Sequence, residues 1–252
     1  MSRERVQTLV LLRANLFRLF MKLPLISCIV PVFNGERYLG EALESILKQS
    51  YRPLEIIVAD DGSTDGTAAV VKRYGDRVRY LKQPNRGVAA ARNLGLTAAQ
   101  GEFVAFLDAD DLWHSEKLAR QMARFESRPE LDYCLAHVQN FWELVEEQKR
   151  FANHRIAKPL PGYSTCTLLA RHRLFAIVGQ FNTAVNHADD TDWFLRASES
   201  GAAMEMLPDI LLYRRLHQTN VSRVGAANSR EQYLLMLKAT LDRRRRQSPS
   251  SD

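Results

Sequence analysis

Between residues 24 and 127 the chain alternates strand-like runs with stretches of helical spacing, and this alternation constrains the fold more than any other feature. The runs "PLISCIVPVF", "LEIIVAD" and "EFVAFLD" are almost wholly apolar, and "RVRYLKQ" is the more polar fourth. After them come "ERYLGEALESILKQS", "TDGTAAVVKRYG", "GVAAARNLGLTAAQG" and "SEKLARQMARFES"; in the first of these Leu39, Ala42, Leu43, Ile46 and Leu47 share a helical face. Strands without polar alternation are covered on both faces, which predicts an α/β fold with a mostly parallel sheet flanked by helices. Past Pro129, "ELDYCLAHVQNFW" offers one or two more strands, and the polar "ELVEEQKRFANHRIAKPLPGYST" reads as a loop-rich excursion. "TCTLLARHRLFAIVGQFN" returns to buried structure, "DDTDWFLRASESG" is a helix and "MEMLPDILLYRRL" a final strand. The boundaries are a folded body over 24–225, with halves 24–128 and 129–225, between a basic amphipathic segment 1–23 and a C-terminal helix with a basic tail over 226–252.

Ligands of such sheets bind outside the carboxyl ends of the strands, and the polar residues cluster there. The first strand ends in Pro31, Val32, Phe33 and Asn34, the second in Asp60 and Asp61. The third leads to Arg92 and Asn93, and the fourth ends in "DADD", Asp108 to Asp111. Carboxylates this close repel one another and lose hydration near an apolar core, so a cation or strong donors must offset the cost. Neither the glycine-rich dinucleotide fingerprint nor the phosphate loop follows the first strand. A carboxylate-held divalent metal, Mg²⁺ or Mn²⁺, is the alternative way to hold phosphates. Helix capping near Ser115 accounts for one of these aspartates, Asp111, but not for the group. "DGSTDGT" lacks the twelfth-position glutamate of a calcium loop.

Taken together, "PVFNGERYLGEALESILKQS", "EIIVADDGSTDGT", "NRGVAAARNLGLTAAQGEFVAFLDADD" and "FAIVGQFN" followed by "DDTDWFLR" resemble the family-2 glycosyltransferases over roughly residues 24–220. The resemblance implies a GT-A fold, a nucleoside-diphosphate sugar donor, most plausibly a UDP-sugar, and inverting transfer to a saccharide or glycolipid acceptor in cell-surface polysaccharide synthesis. It implies that Pro31, Val32, Phe33 and Asn34 line the base pocket with Asp60 and Asp61, Asp61 accepting from the base. Arg92 and Asn93 would lie beside the nucleotide, and Asp108 and Ala109 by the ribose. Asp108 and Asp110 would hold the metal, Asp110 most directly, and His217 would complete the site or contact the phosphate.

Inverting transfer needs a base within reach of the acceptor hydroxyl. Asp190 is the expected base and Asp189 the reserve; the family usually has Glu-Asp where this chain has Asp189-Asp190. Helix capping is the competing reading for Asp190, and Asp192 is spaced to pair with Arg196. His187, just before the proposed base, is a candidate acceptor contact. Trp113 and Trp193 flank the acidic clusters and are read as packing anchors before sugar platforms.

The formal charge of +6 sits at the two ends, leaving the body formally neutral, which argues against a nucleic-acid partner. Residues 1–20 place Leu9, Leu12, Leu16, Phe17 and Phe20 among arginines, a pattern that fits peripheral contact with an anionic membrane, packing on the domain, or an upstream extension. The tail "RRRRQSPSSD" is expected to be disordered. Cys28, Cys134 and Cys166 have no paired spacing, which fits a cytoplasmic setting, at most peripheral at the inner membrane face. Rival readings are a nucleotidyltransferase, for which "VFNGERY" is a poor phosphate loop, and a non-catalytic sugar-nucleotide-binding module.

Overall fold

Strand β1 (Ile26–Val32) is buried along its whole length and lies between β2 (Leu54–Asp60) and β4 (Phe103–Phe106), parallel to both. Both of its faces meet hydrophobic partners, which is why it reads as an unbroken apolar run. Ile26, Cys28 and Val30 pack with Leu39, Leu43 and Ile46 of helix α1 (Leu39–Leu47), and with Leu118, Met122 and Phe125 of α4 (Lys117–Ser127). Ile29 faces the opposite layer, with Val104, Phe106, Leu96 and Trp193. Helix α3 (Val88–Ala98) lies so close to that face that a Cβ on Gly95 would come within 2.4 Å of Ile29. Each large side chain buried here contributes about 1.5–3 kcal/mol, so the two layers dominate the stability of the sheet.

The sheet runs β3-β2-β1-β4-β8-β6-β9-β5, with β7 pairing β6 off this path. It is parallel from β3 (Arg79–Lys82) to β4, with α2 (Thr67–Lys72) and α3 in the crossovers. Beyond β4 it is mixed: β8 (Leu169–Arg171) is antiparallel to β4, and β6 (Tyr133–Trp142) to β8. Strand β9 (Met204–Leu216) is parallel to β6, and β5 (Leu112–Trp113) is antiparallel to β9. Antiparallel neighbours need no helical crossover, so this half is built largely from the short returns of the 130–170 region. That region is less irregular than its polarity predicts: it carries α5 (Val145–Phe151), a turn of 3₁₀ helix at Arg155–Ala157 and β7 (Leu160–Gly162). Helices α6 (Leu174–Val178) and α7 (Asp189–Glu199) follow β8 and cover the face that holds Ile29.

The computed structural model describes residues 23–185, 188–218, 220, 238 and 240. The amphipathic reading of residues 1–20, the tail and His187 fall outside the described residues, apart from Lys238 and Thr240. Among the described residues no helix is long and apolar enough to cross a membrane.

Candidate active site

The carboxyl ends of β1, β2, β4, β6 and β9 open on one edge of the sheet, where the start of β8 and the first turn of α7 join them. The turn after β1 is fixed by short polar contacts. Asn34 takes the left-handed conformation at φ 52°, an arrangement asparagine tolerates, and its side-chain oxygen accepts from the Thr64 amide at 2.9 Å. Pro31 and Val32 are buried in β1, while Phe33 stands 51% exposed at the rim.

Asp60 and Asp61 are both buried and both engaged by the protein. Asp60 accepts from the Ser63 amide at 2.7 Å and from the Tyr80 hydroxyl. Asp61 accepts from Gln83 Nε2 at 2.7 Å and from the amides of Arg86 at 2.9 Å and Gly87 at 2.7 Å. Gly87 sits at φ 90°, where a side chain would be strained, and this lets its amide turn onto Asp61 at the start of α3. Three donors leave roughly one of the four acceptor positions of Asp61 for a ligand. Asn93, expected beside a nucleotide, spends its amide on Phe181, donating to its carbonyl at 2.8 Å and accepting from its N–H at 2.9 Å.

The Asp108–Asp111 turn brings its acids together on protein partners. Asp110 Oδ2 lies 2.9 Å from His217 Nε2 and accepts from Asn220 Nδ2 at 3.2 Å. The His217 ring also packs 4.9 Å from that of Tyr38. Asp111 is 4% exposed and accepts from the Arg215 amide at 2.9 Å. Burial, and then the charges of Asp110 and Asp108, hold its carboxyl well above the ordinary carboxylate range. The Asp108 amide donates to Cys166 Sγ at 3.3 Å, and Ala109 packs against the core beside Gly35.

A single buried guanidinium joins the two acidic clusters. Arg92, 6% exposed, donates to Asp189 at 2.6 Å and to Asp108 at 3.0 Å. Burial works against its charge, but Asp189, Asp108 and Asp190 more than offset that and raise its pKa. The two terminal nitrogens of Arg92, the residue expected beside the nucleotide, are committed to carboxylates, because each buried charge needs a partner. The guanidinium also separates the roles of the adjacent acids. Asp189 is locked in the ion pair, whereas Asp190 pairs with no cation among the described residues and accepts from the backbone and hydroxyl of Thr191, at 2.7 and 3.3 Å. Its carboxyl is raised above the usual value, chiefly by burial.

Asp192 pairs with Arg196 at 2.8 Å. Arg196 also donates to the Gln180 carbonyl at 2.8 Å, so this pair fastens the loop before α7. Both tryptophans are packing anchors: Trp193 is fully buried and stacks on Phe175 at 4.8 Å, and Trp113 donates to the Cys166 carbonyl at 2.9 Å. Sequence reasoning missed Arg215, Asn220, Glu41 and Cys166. Arg215, two residues before His217 in "YRRLH", was within reach of a reading that asked which cations meet the acids.

The donor set fits a hard divalent cation. The compensation of the acids by Arg92 and Arg215 is incomplete, since Asp111 still titrates high, and carboxylate oxygens with one imidazole suit Mn²⁺ or Mg²⁺. Asp108, Asp111 and Cys166 have ligand atoms within 4.8 Å of one another, but a buried, protonated thiol is a poor partner for such an ion. Of the expected metal ligands, Asp110 and His217 lie 2.9 Å apart, and Asp108 stands in the adjoining Asp111 and Cys166 group.

Comparison with known proteins follows from this geometry. The sequence profile described as "Glycosyl transferase family 2" matches residues 27–182. An "Uncharacterized glycosyltransferase" of Rickettsia typhi is 30% identical over 231 residues, 83% of this chain and 69% of that protein. Chondroitin synthase of Pasteurella multocida is 30% identical over 242 residues, 89% of this chain but 24% of that one. Among solved structures, TarS of S. aureus in complex with UDP superposes with a TM-score of 0.65 at 25% identity, covering 76% of this chain and 60% of that chain. The mannosyltransferase PcManGT of Pyrobaculum calidifontis, in complex with GDP-Man and Mn²⁺, gives 0.60 at 27% identity, covering 78% and 58%. The chain thus spans about three fifths of these two solved chains.

Proposed function

The chain belongs to glycosyl transferase family 2, with the mixed α/β sheet of the GT-A fold, and from that premise we propose that it transfers a sugar from a nucleoside-diphosphate donor to an acceptor hydroxyl with inversion. The donor is a UDP-sugar and the acceptor a saccharide or glycolipid of a cell-surface polymer; the UDP complex of TarS and the chondroitin synthase relative support this reading. The observation that carries it is the Arg92 bridge. One guanidinium touches both Asp108 and Asp189, so the loop that would face the diphosphate and the first turn of α7, which carries Asp190, are tied to the same side chain.

Each residue's task follows from its surroundings. The Phe33–Asn34 turn and the remaining acceptor position of Asp61 face the nucleotide base. Asp190 is the base: among the described residues no cation claims its oxygens, and its raised pKa strengthens its hold on the proton taken from the acceptor. Asp189 and Arg92 hold it in place. A divalent ion on Asp108 and Asp110 with His217 would supply positive charge against the diphosphate leaving group. A binding role without catalysis gives no reason for a buried acid at Asp190 that meets no cation among the described residues.

Two variants test the assignment. Asp190→Asn is expected to bind UDP with unchanged affinity by calorimetry and to lower transfer about 100- to 10,000-fold, the usual contribution of a general base. Transfer at the wild-type rate would remove Asp190 from that role. Asp110→Ala is expected to abolish the Mn²⁺-dependent part of UDP binding, and equal Mn²⁺-dependent affinity in both proteins would sink the metal assignment.

A further inference from the structure

We propose that Arg215 is the positioning residue of the Asp108–Asp111 loop: from the end of β9 it sets the loop's backbone so that Asp110 presents its carboxylate to a cation. The inference rests on the metal reading above and extends it to a residue outside the ligand set.

Arg215 is 8% exposed and makes three directed contacts. Its main-chain amide donates to Asp111 Oδ1 at 2.9 Å, its Nε to the Asp110 carbonyl at 3.0 Å, and a terminal nitrogen to Glu41 on α1 at 2.7 Å. Its plane is held between aromatic rings, 4.7 Å from Tyr38 and 4.8 Å from Phe141. Asn220 closes the arrangement, donating to the Arg215 carbonyl at 3.1 Å and to Asp110 Oδ2 at 3.2 Å. The guanidinium is thereby fixed on two faces and along two of its edges.

What it touches decides its role. An arginine on the Asp110 carboxylate would compete with a metal ion for the same oxygens. Arg215 takes the main-chain carbonyl instead, and its cation lies beside the acids without occupying Asp110's ligand atoms. The Asp110 carboxylate meets His217 Nε2 and Asn220 Nδ2 rather than the Arg215 guanidinium. Residues that orient metal ligands in this way typically change metal affinity about 10- to 100-fold when lost. Lysine cannot substitute: its ammonium has no plane to stack between Tyr38 and Phe141, and no fork to reach Asp110 and Glu41 together.

The test is Mn²⁺ titration followed by electron paramagnetic resonance in the presence of UDP, with UDP affinity measured separately in chelator. Arg215→Lys and Arg215→Gln are expected to weaken Mn²⁺ about 10-fold or more, to leave metal-free UDP affinity within about twofold, and to keep the wild-type circular dichroism. If Arg215→Lys does not fold, Arg215→Gln carries the same comparison. Wild-type Mn²⁺ affinity in a folded variant overturns the inference. So does a loss confined to metal-free UDP binding, which would make Arg215 a phosphate contact. If the wild-type protein itself shows no UDP-dependent Mn²⁺ binding, the metal reading fails and this one with it.

Discussion

Arg92→Met is expected to destabilise the protein by about 3–5 kcal/mol, the cost of leaving a buried charge without its partner. Asp189 is 2% exposed and its ion pair is with Arg92; Asp108 keeps 39% of its side chain accessible and can rehydrate. Most of the loss therefore comes from Asp189. Methionine fills a similar volume, so a cavity contributes little. The attribution is checked by a double-mutant cycle in urea. Asp189→Asn should be costly in the wild-type background and should recover part of the loss in Arg92→Met, giving a coupling energy of about 1–3 kcal/mol. Additive costs would mean that the pair is not what holds Arg92 in place. Transfer should fall further than stability explains, because Asp190 follows Asp189 on the first turn of α7 and loses the anchor of that turn.

The parallel half of the sheet was legible because its strands are bounded by turn formers and its inner ones are buried on both faces, as β1 is between α1 and α3, while the edge strand β3 is partly exposed. The mixed half was not. Strand β5 has two residues, too few for any periodicity, and exists only because Tyr213 and Leu212 offer it a ladder. At the site, residue types and their gathering on one edge could be anticipated from strand ends, and so could the pairing of Asp192 with Arg196. Partner choice could not. Which of Asp189 and Asp190 is locked depends on where Arg92 reaches from α3, 97 positions away, and a single sequence carries no signal at that separation. The same limit hid Arg215 and Glu41, which are 174 positions apart. Asn93 and Asp61 illustrate the converse: polar residues that a strand-end reading points at the crevice can spend most of their hydrogen-bonding capacity on the loops that shape it.

The other large effect lies in the core, at Lys117. This lysine is fully buried on α4, and its amine donates to Gln121 Oε1 at 2.8 Å and to the Leu168 carbonyl at 3.2 Å, 4.4 Å from the centre of the Trp113 ring. No carboxylate pairs with it among the described residues, and burial lowers its pKa from 10.5 to about 7. A neutral amine has two hydrogens, matching its two acceptors. Because the folded pKa lies below the unfolded one, the unfolded chain binds the extra proton between about pH 7 and 10.5, so this residue adds stability as pH rises through that window. The full change is on the order of 4–5 kcal/mol at about 1.4 kcal/mol per pH unit. Lys117→Met removes that dependence, but leaves Gln121 Oε1 and the Leu168 carbonyl without this donor, at about 1–3 kcal/mol each. The two terms nearly cancel at pH 7 and cease to cancel in alkali. Wild type and Lys117→Met are therefore expected to be of similar stability at pH 7, and wild type the more stable by several kcal/mol at pH 10. Cys28 and Cys134, with thiols pushed up to about 12 chiefly by burial, impose the opposite slope on both proteins. Urea unfolding at pH 7 and pH 10 decides it: a difference independent of pH would mean that Lys117 stays charged inside the fold.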